Sequence, residues 1–281
     1  MKHPLRYFPI FVLPALVMFS IAFLIPFVMG LGLSFCDFNI VTDAQFTGLD
    51  NYVRAFSDPS SNFLYSLGFT ALFTVVSVIS VNVLAFIFAL LLTRGLKRTN
   101  FFRTIFFTPN LIGGIVLGYV WQTIINGVLS RYNMTILMDS AYGFWGLVLV
   151  TNWQLIGYMM VIYIAGIQNI SVDLLEAAKI DGAGTGRTIR SIVIPLVMQS
   201  VTICSFLTLT NSFKMFDQNL ALTSGGPANQ TEMLALNIYR TFYNRNGWSG
   251  AGQAKAVVFF VLVGIIAFIQ LRATRNKEQA S

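Results

Sequence analysis

The sequence predicts an all-α integral membrane protein with about six transmembrane helices, and three observations support this. Apolar residues make up 56% of the 281 residues and charged residues only 10%, whereas soluble domains carry roughly 25% charged residues. The apolar residues form long runs without strand-like alternation, which favours helices over a barrel. The basic residues lie between these runs, where membrane topology places them.

The individual spans follow from the length of helix that crosses a bilayer, about 20 mostly apolar residues. Six spans are predicted, at about residues 8–33, 64–93, 105–125, 144–167, 194–212 and 256–271. The second contains no charged residue, whereas polar residues interrupt the third and the fifth. The first exceeds a signal-peptide core and has no small-residue cleavage site, so we expect a retained helix.

The orientation follows from the 18 lysine and arginine residues. Two thirds of them fall in the segments that share one side of the membrane with both termini. The positive-inside rule therefore predicts that both termini are cytoplasmic. On this orientation, residues 213–255 form the longest outer loop, and no charged side chain is expected in the middle of a span.

The residue inventory argues against several classes of function. The only histidine is His3, and Cys36 and Cys204 are far apart in the predicted topology, so neither a metal site nor a disulfide is expected. No G-x-x-x-x-G-K-[ST] phosphate loop occurs, so the chain has no such device for binding ATP. The net charge of +7 comes from the clusters between spans, and nucleic acid is not expected as a partner.

The cytoplasmic loop at about residues 171–190 is the most informative segment. Ser171 can cap a short helix, Glu176 can pair with Lys179, and Gly182 can end it. Leucine and alanine side chains give this helix one apolar side. Because it has no core of its own, such a helix lies on the bilayer or in the groove of a partner.

The spacing in this loop resembles the EAA signature of ATP-binding-cassette (ABC) importer permeases. The chain reads Glu176-Ala-Ala, three residues, Gly182, nine residues, and Ile192-Val-Ile-Pro195. The single departure is Ile194, where the signature has leucine. The resemblance implies a type I importer permease fold whose coupling helix docks on an ATPase subunit. Carried over by position, the ATPase-coupling residues are Glu176, Ala177, Ala178 and Gly182.

Three further segments resemble the carbohydrate branch of that family, of the maltose, multiple-sugar and glycerol-phosphate type. They are Leu222-Thr-Ser-Gly-Gly-Pro227 followed by Thr231-Glu232, Phe46-Thr-Gly-Leu-Asp-Asn-Tyr52, and residues 7–26, which resemble the opening of the maltose-type first permease. The resemblance implies a loop facing a binding protein at Gly225, Gly226 and Pro227.

The resemblance also implies an assembly around a single permease domain over residues 1–281. Its expected partners are a second permease in a heterodimer, two ATP-binding-cassette ATPase subunits, an extracytoplasmic sugar-binding protein and the lipid of a bacterial or archaeal cytoplasmic membrane. No cofactor is expected on this chain. ATP and magnesium would bind the partner ATPase, so the chain itself is not expected to be an enzyme.

Polar side chains within the spans are candidates for a substrate path, because such side chains usually face the bundle interior or a water-filled cavity. Amides both donate and accept hydrogen bonds, and aromatic faces stack on sugar rings, which suits a neutral polyol. The alternative for each residue is a hydrogen bond between helices. The candidates are Asn82, Tyr119, Gln122, Asn126, Asn152, Trp153, Gln154, Tyr158, Asn211 and Gln218.

Other functions stay open at this point. An ion-coupled secondary transporter of a small polar solute would need acids within the membrane and similar helical halves, and neither is visible. A membrane-embedded enzyme would need a catalytic constellation within the spans. A purely structural protein would not need a loop with the EAA spacing.

Overall fold

The structure is a computed structural model that describes residues 11–95 and 98–278. Within those residues the helices are, in chain order, α1 (Leu13–Leu33), α2 (Asp50–Ser57), α3 (Phe63–Leu92), α4 (Thr99–Phe107), α5 (Gly114–Leu129), α6 (Ser140–Gln168), α7 (Val172–Ile180), α8 (Thr185–Leu196), α9 (Met198–Phe213), α10 (Asp217–Leu222), α11 (Leu234–Tyr243) and α12 (Ser249–Glu278). Two short strands, β1 (Cys36–Asp37) and β2 (Gln45–Phe46), pair antiparallel after α1.

Four of these helices are long and apolar enough to cross a membrane, namely α1, α3, α6 and the part of α12 up to Gln270. They confirm the first, second, fourth and sixth predicted spans. The predicted start of the first span, at residue 8, and the tail with His3 lie outside the described residues. The sixth span begins earlier than expected, because α12 extends back to Ser249.

The third and fifth predicted spans are bent pairs of helices rather than straight helices. The axis turns by 103° between residues 99–111 and 114–132, and by 72° between α8 and α9. Pro109, which has no N–H to donate, lies in a 3-10 turn just before the first bend. Pro195 and the non-helical backbone of Val197 mark the second. The described residues thus contain six spans only if each bent pair counts as one.

The chain divides into two compact units, and one of them comprises residues 64–236 and 262–281. Its central helix is α6, which has buried residues over most of its length. Gly157 lets α6 approach α4 closely, since a methyl group there would overlap the carbonyl of Phe106. One apolar cluster around Met159 and Tyr163 and another around Phe73 and Leu147 fill the interior.

The other unit comprises residues 1–63 and 237–261. Asn51 of α2 is buried, and its amide donates to the carbonyls of Ser34 (3.1 Å) and Cys36 (2.8 Å), which fixes the turn after α1. Asp58 accepts a hydrogen bond from the Ser60 N–H at 2.8 Å. Side-chain and backbone hydrogen bonds from Ser60 hold the pKa of that carboxyl below its usual range. The single permease domain over 1–281 stays a prediction.

Candidate translocation cavity and coupling loop

A cavity of about 330 Å³ lies within the unit that contains α6, and polar side chains dominate its lining. The α6 residues Gln154 and Tyr158 are four positions apart, so they share one face of that helix. The 3-10 turn before the first bend contributes Asn110. The complete lining is Asn110, Gln154, Leu155, Tyr158, Asn211, Lys214, Met215, Phe216, Asp217 and Gln218.

A pair of amides joins α6 to α10 at this cavity. Gln218 Nε2 donates to Gln154 Oε1 at 2.7 Å, and Gln154 Nε2 donates to the carbonyl of Ile112 at 3.3 Å. That carbonyl is available because the helix is interrupted between Leu111 and Gly114. Gly114 permits the close approach of α5 to α10, since a methyl group there would lie 2.7 Å from Asp217 Cβ.

The chemistry of the lining suits an uncharged ligand rich in hydroxyl groups. Four amides and one phenol can each donate or accept hydrogen bonds. The charged side chains are Lys214 and Asp217, whose formal charges cancel. Within the described residues no group of three or more histidine, cysteine or acidic side chains could hold a metal ion.

Four of the ten predicted path residues lie together in this cavity, namely Gln154, Tyr158, Asn211 and Gln218. The other six do not line it, and most of them make contacts within or between helices. Whether the four contact a substrate stays a prediction.

Asn82 and Asn152 connect helices. Asn82 donates to Thr208 Oγ1 of α9 at 3.4 Å and accepts a hydrogen bond from the Tyr163 hydroxyl of α6 at 2.8 Å. Asn152 donates to Ser80 Oγ of α3 at 2.9 Å. These are the interhelical hydrogen bonds that were the alternative interpretation from the sequence.

Gln122 and Asn126 satisfy backbone groups at helix and loop ends. Gln122 donates to the carbonyl of Leu222 at 2.8 Å, and Asn126 accepts from the N–H of Ile136 at 2.9 Å.

Tyr119 and Trp153 are exposed on the surface of the described chain. Trp153 also packs edge-on against Trp121, with ring centroids 5.4 Å apart.

Three charged or polar residues of the cavity lining were not among the predicted path residues. Asn110, Lys214 and Asp217 line the cavity because the bends bring their segments to α6. The only sequence signal was their position beside Pro109 or at the edge of a predicted span.

Lys255 was predicted to lie at the end of the outer loop, but the structure places it elsewhere. It lies in the second turn of α12 and is fully buried, so the predicted end of the outer loop at residue 255 is wrong. The expectation of no charged side chain in the middle of a span stays a prediction. The Lys255 ammonium donates to Thr241 Oγ1 (2.8 Å), Asn237 Oδ1 (2.9 Å) and the Ser61 carbonyl (3.0 Å). The Phe63 ring lies 5.4 Å away. A buried ammonium requires an acceptor for each of its three N–H donors, and these partners supply them.

The short helix predicted in the EAA loop is present as α7, although one detail of its ends differs. Its coupling role stays a prediction. Ser171 occupies the N-cap position but makes no side-chain capping hydrogen bond. At the other end Gly182 has a φ of +73°, and its N–H donates to the carbonyl of Lys179 at 3.1 Å. The N–H of Ala183 donates to the carbonyl of Ala178 at 2.9 Å, which completes a Schellman motif.

The EAA residues divide between the open and the packed side of α7. Glu176 and Ala177 are exposed, whereas Ala178 is buried. A groove of about 410 Å³ between α7 and α8 is lined in part by Ala177, Ala178 and Arg187.

Hydrogen bonds with Asn219, which is buried in α10, stabilise the predicted binding-protein loop. Asn219 donates to the carbonyl of Thr231 at 2.7 Å and accepts from the N–H of Met233 at 3.0 Å. Thr231 donates in turn to the carbonyl of Gly226 at 2.7 Å. The Gly225-Gly226-Pro227 turn is therefore an anchored loop, and its contact with a partner stays a prediction.

Comparisons with known proteins agree with this architecture. The chain is 43% identical over 277 residues to the probable starch degradation products transport system permease protein AmyD of Thermoanaerobacterium thermosulfurigenes, covering 96% of this chain and 94% of that protein. It is 28% identical to the multiple sugar-binding transport system permease protein MsmF of Streptococcus mutans, covering 95% of each. It is 30% identical to the trehalose/maltose transport system permease protein MalF of Thermococcus litoralis, covering 86% and 84%.

A solved structure confirms the fold. A chain of a bacterial ABC transporter involved in the import of the acidic polysaccharide alginate superimposes with a TM-score of 0.82 at 18% identity, covering 96% of both chains. Residues 82–275 match the family described as the binding-protein-dependent transport system inner membrane component. The chain therefore belongs to this family and is a multi-pass protein of the inner membrane.

Proposed function

We propose that the chain is a permease subunit of an ATP-binding-cassette importer that moves a neutral sugar or oligosaccharide inward. The relatives named above are permeases for starch products, multiple sugars and trehalose or maltose. The cavity between α6, α9 and α10 supports the neutral class, because its amides and phenol suit hydroxyl groups and its two charges cancel. An acidic saccharide would favour a lining with excess positive charge.

Energy would enter through α7. In this proposal the open side of α7, with Glu176 and Ala177, docks into a cleft on a separate ATPase subunit. Ala178 and Gly182 would hold the helix in its loop, since one packs inward and the other permits the turn that ends it. ATP and magnesium would bind that ATPase, and this chain would perform no covalent chemistry.

Alternating access would then require the cavity to open on one side at a time. The Gln154–Gln218 hydrogen bond links α6 to α10 in the present conformation. Movement transmitted from α7 through α8 and α9 would separate or close such contacts around the cavity. The bends at residues 112–113 and 197 would be the positions where the spans change direction during this movement.

The remaining subunits follow from the same proposal. A second, similar permease would complete the path, and two ATPases would bind the two coupling helices. An extracytoplasmic binding protein would deliver the sugar beside the anchored Gly225-Gly226-Pro227 turn.

The observation that carries this proposal is the exposed α7 helix with EAA spacing, closed by a positive-φ glycine. We would coexpress the chain with an ATPase and a second permease and reconstitute the complex into liposomes. Glu176→Lys and Gly182→Trp should abolish assembly or sugar-stimulated ATP hydrolysis while the helices still insert. Asp173→Asn, on the same helix but outside the signature, is the matched control, because it keeps a polar side chain in the first turn. Normal assembly and turnover in both test variants would remove the coupling role.

A further inference from the structure

A second large pocket, of about 610 Å³, lies behind α7 rather than on its docking side. Its walls come from the end of α3, the end of α6, the inner side of α7 and the first turns of α8. Its floor is the apolar cluster of Ile170 and Val193, both buried. The cavity described above shares none of its residues.

The pocket combines an apolar interior with a positively charged rim. Leu90, Ile167 and Leu175 line the apolar part, next to the floor. Arg94 and Lys179 supply two exposed cations at the rim. Among the described residues no aspartate or glutamate lines this pocket. The net charge of the lining is therefore positive.

The pocket lies at the level where lipid headgroups are found. The rim residues Thr93 and Arg94 directly follow the last residue of α3, Leu92, and Gln168 is the last residue of α6. A helix of 30 residues such as α3 is about 45 Å long, whereas the hydrocarbon core is about 30 Å thick. Its ends therefore reach the headgroup region. The positive-inside prediction places this end on the cytoplasmic side.

We propose that this pocket binds an anionic phospholipid of the inner leaflet. The phosphate would lie between Arg94 and Lys179, and an acyl chain would cover the wall formed by Leu90, Ile167 and Leu175. Basic pockets between transmembrane helices on the cytoplasmic side suit such headgroups, because the charge pairs with phosphate where water is partly excluded. A zwitterionic lipid would gain less from two cations in a lining that holds no acid among the described residues. A bound lipid would fill the space behind α7 and so support the coupling helix from its inner side.

The test measures lipid retention, which does not depend on what the protein transports. The chain, purified with the subunits that accompany it, is exchanged into nanodiscs containing phosphatidylcholine with one fifth phosphatidylglycerol. Lipid that stays bound is then quantified by native mass spectrometry. The native chain should retain phosphatidylglycerol in preference to phosphatidylcholine. The double variant Arg94→Gln, Lys179→Gln should lose about twentyfold to thirtyfold in that preference, since each basic residue near an anionic surface contributes roughly fivefold.

Two further variants make the result specific. Arg190→Gln removes an exposed cation of the same cytoplasmic loop that does not line the pocket, and it should retain the lipid. Val172→Asp places an acid in the lining at the first turn of α7, a position where an acid favours the helix, and it should lose the lipid without unfolding. Equal retention by the double variant or by Val172→Asp would overturn the proposal.

The phospholipid can also be distinguished from other occupants. Water-soluble glycerophosphate should compete poorly, because it lacks the chains that the apolar wall would bind. Equal competition by glycerophosphate would make the site one for a phosphate group alone. A photoreactive phosphatidylglycerol should label peptides spanning residues 167–175. Labelling that is blocked whenever the ATPase subunit is bound would instead assign the pocket to that protein.

Discussion

At the scale of single residues, Gly182 at the end of α7 is a position where the backbone conformation restricts which residue fits. Its φ of +73° is unfavourable for alanine and most other residues with a Cβ, although a methyl group there would meet nothing within 4 Å. We expect Gly182→Ala to weaken the Schellman motif by about 1 kcal/mol. Hydrogen exchange of the peptide 172–183 should then be about fivefold faster.

The matched control is Gly186→Ala in α8, which also has open space but no positive φ. Alanine is favoured over glycine within a helix, so this variant should exchange no faster than the native chain. Equal acceleration in both variants would mean that the turn at Gly182 does not hold the end of α7.

A second prediction at this scale concerns the substitution of Lys255. Replacing it by methionine keeps the apolar stem but removes a donor from Asn237 Oδ1, Thr241 Oγ1 and the Ser61 carbonyl. Removing a charged donor from buried acceptors typically costs about 1–3 kcal/mol. We therefore expect the free energy of unfolding to fall by about 3 kcal/mol. Thermal unfolding in detergent should show it, whereas the exposed Lys214→Met should change stability by less than about 0.5 kcal/mol.

At the scale of helices, close approach between α6 and α4 depends on Gly157. A methyl group there would overlap the backbone carbonyl of Phe106, which cannot rotate away as a side chain could. Gly157→Ala should therefore separate the two helices and destabilise the protein by roughly 3 kcal/mol. Gly127→Ala in α5, where space is open, is the control and should be neutral.

The measurement is the unfolding midpoint of each variant in the same detergent. A normal midpoint for Gly157→Ala would show that α4 can move without loss, and the helix pair would then be less tightly packed than the structure indicates.

The straight spans were predictable from sequence and the bent ones only in part. A long apolar run such as α3 must form a helix in lipid, because its backbone groups have to form hydrogen bonds with one another. The polar interruptions did mark the third and fifth spans as different. The angles of 103° and 72° depend on packing around Pro109 and Val197, which no local pattern encodes.

At the scale of the whole molecule, transport assays can test whether the cavity lies on the sugar path. Gln154→Leu removes the hydrogen bonds to Gln218 and to the Ile112 carbonyl, and Asn211→Ala changes the part of the lining that α9 contributes. Each should lower sugar uptake into vesicles by about tenfold, the effect of one or two lost hydrogen bonds. Tyr119→Phe, exposed and outside the cavity, should import normally.

Assembly and basal ATP hydrolysis serve as the folding control for these variants. Normal uptake by both Gln154→Leu and Asn211→Ala would place the sugar path elsewhere, for example along a surface that only the second permease completes.

Only part of the cavity lining could be predicted from the sequence, and the reason is physical. Gln154 and Tyr158 share a helical face, so their proximity follows from spacing alone. Asn110, Lys214 and Asp217 reach them only because two spans bend. An amide within a span can bind a ligand or a neighbouring helix equally well. Sequence alone therefore could not separate Gln154 from Asn82.

The buried ammonium of Lys255 also bears on how the chain is made. An unpaired lysine inside an apolar helix costs about 2.5–3.5 kcal/mol during membrane insertion. The acceptors that remove this cost come from residue 61, near the beginning of the chain, and from α11, just before α12. Lys255 can thus complete these hydrogen bonds only after the segment that carries Ser61 is in place. An error in the earliest-synthesised loop would appear, during biogenesis, as a failure of the final helix to cross.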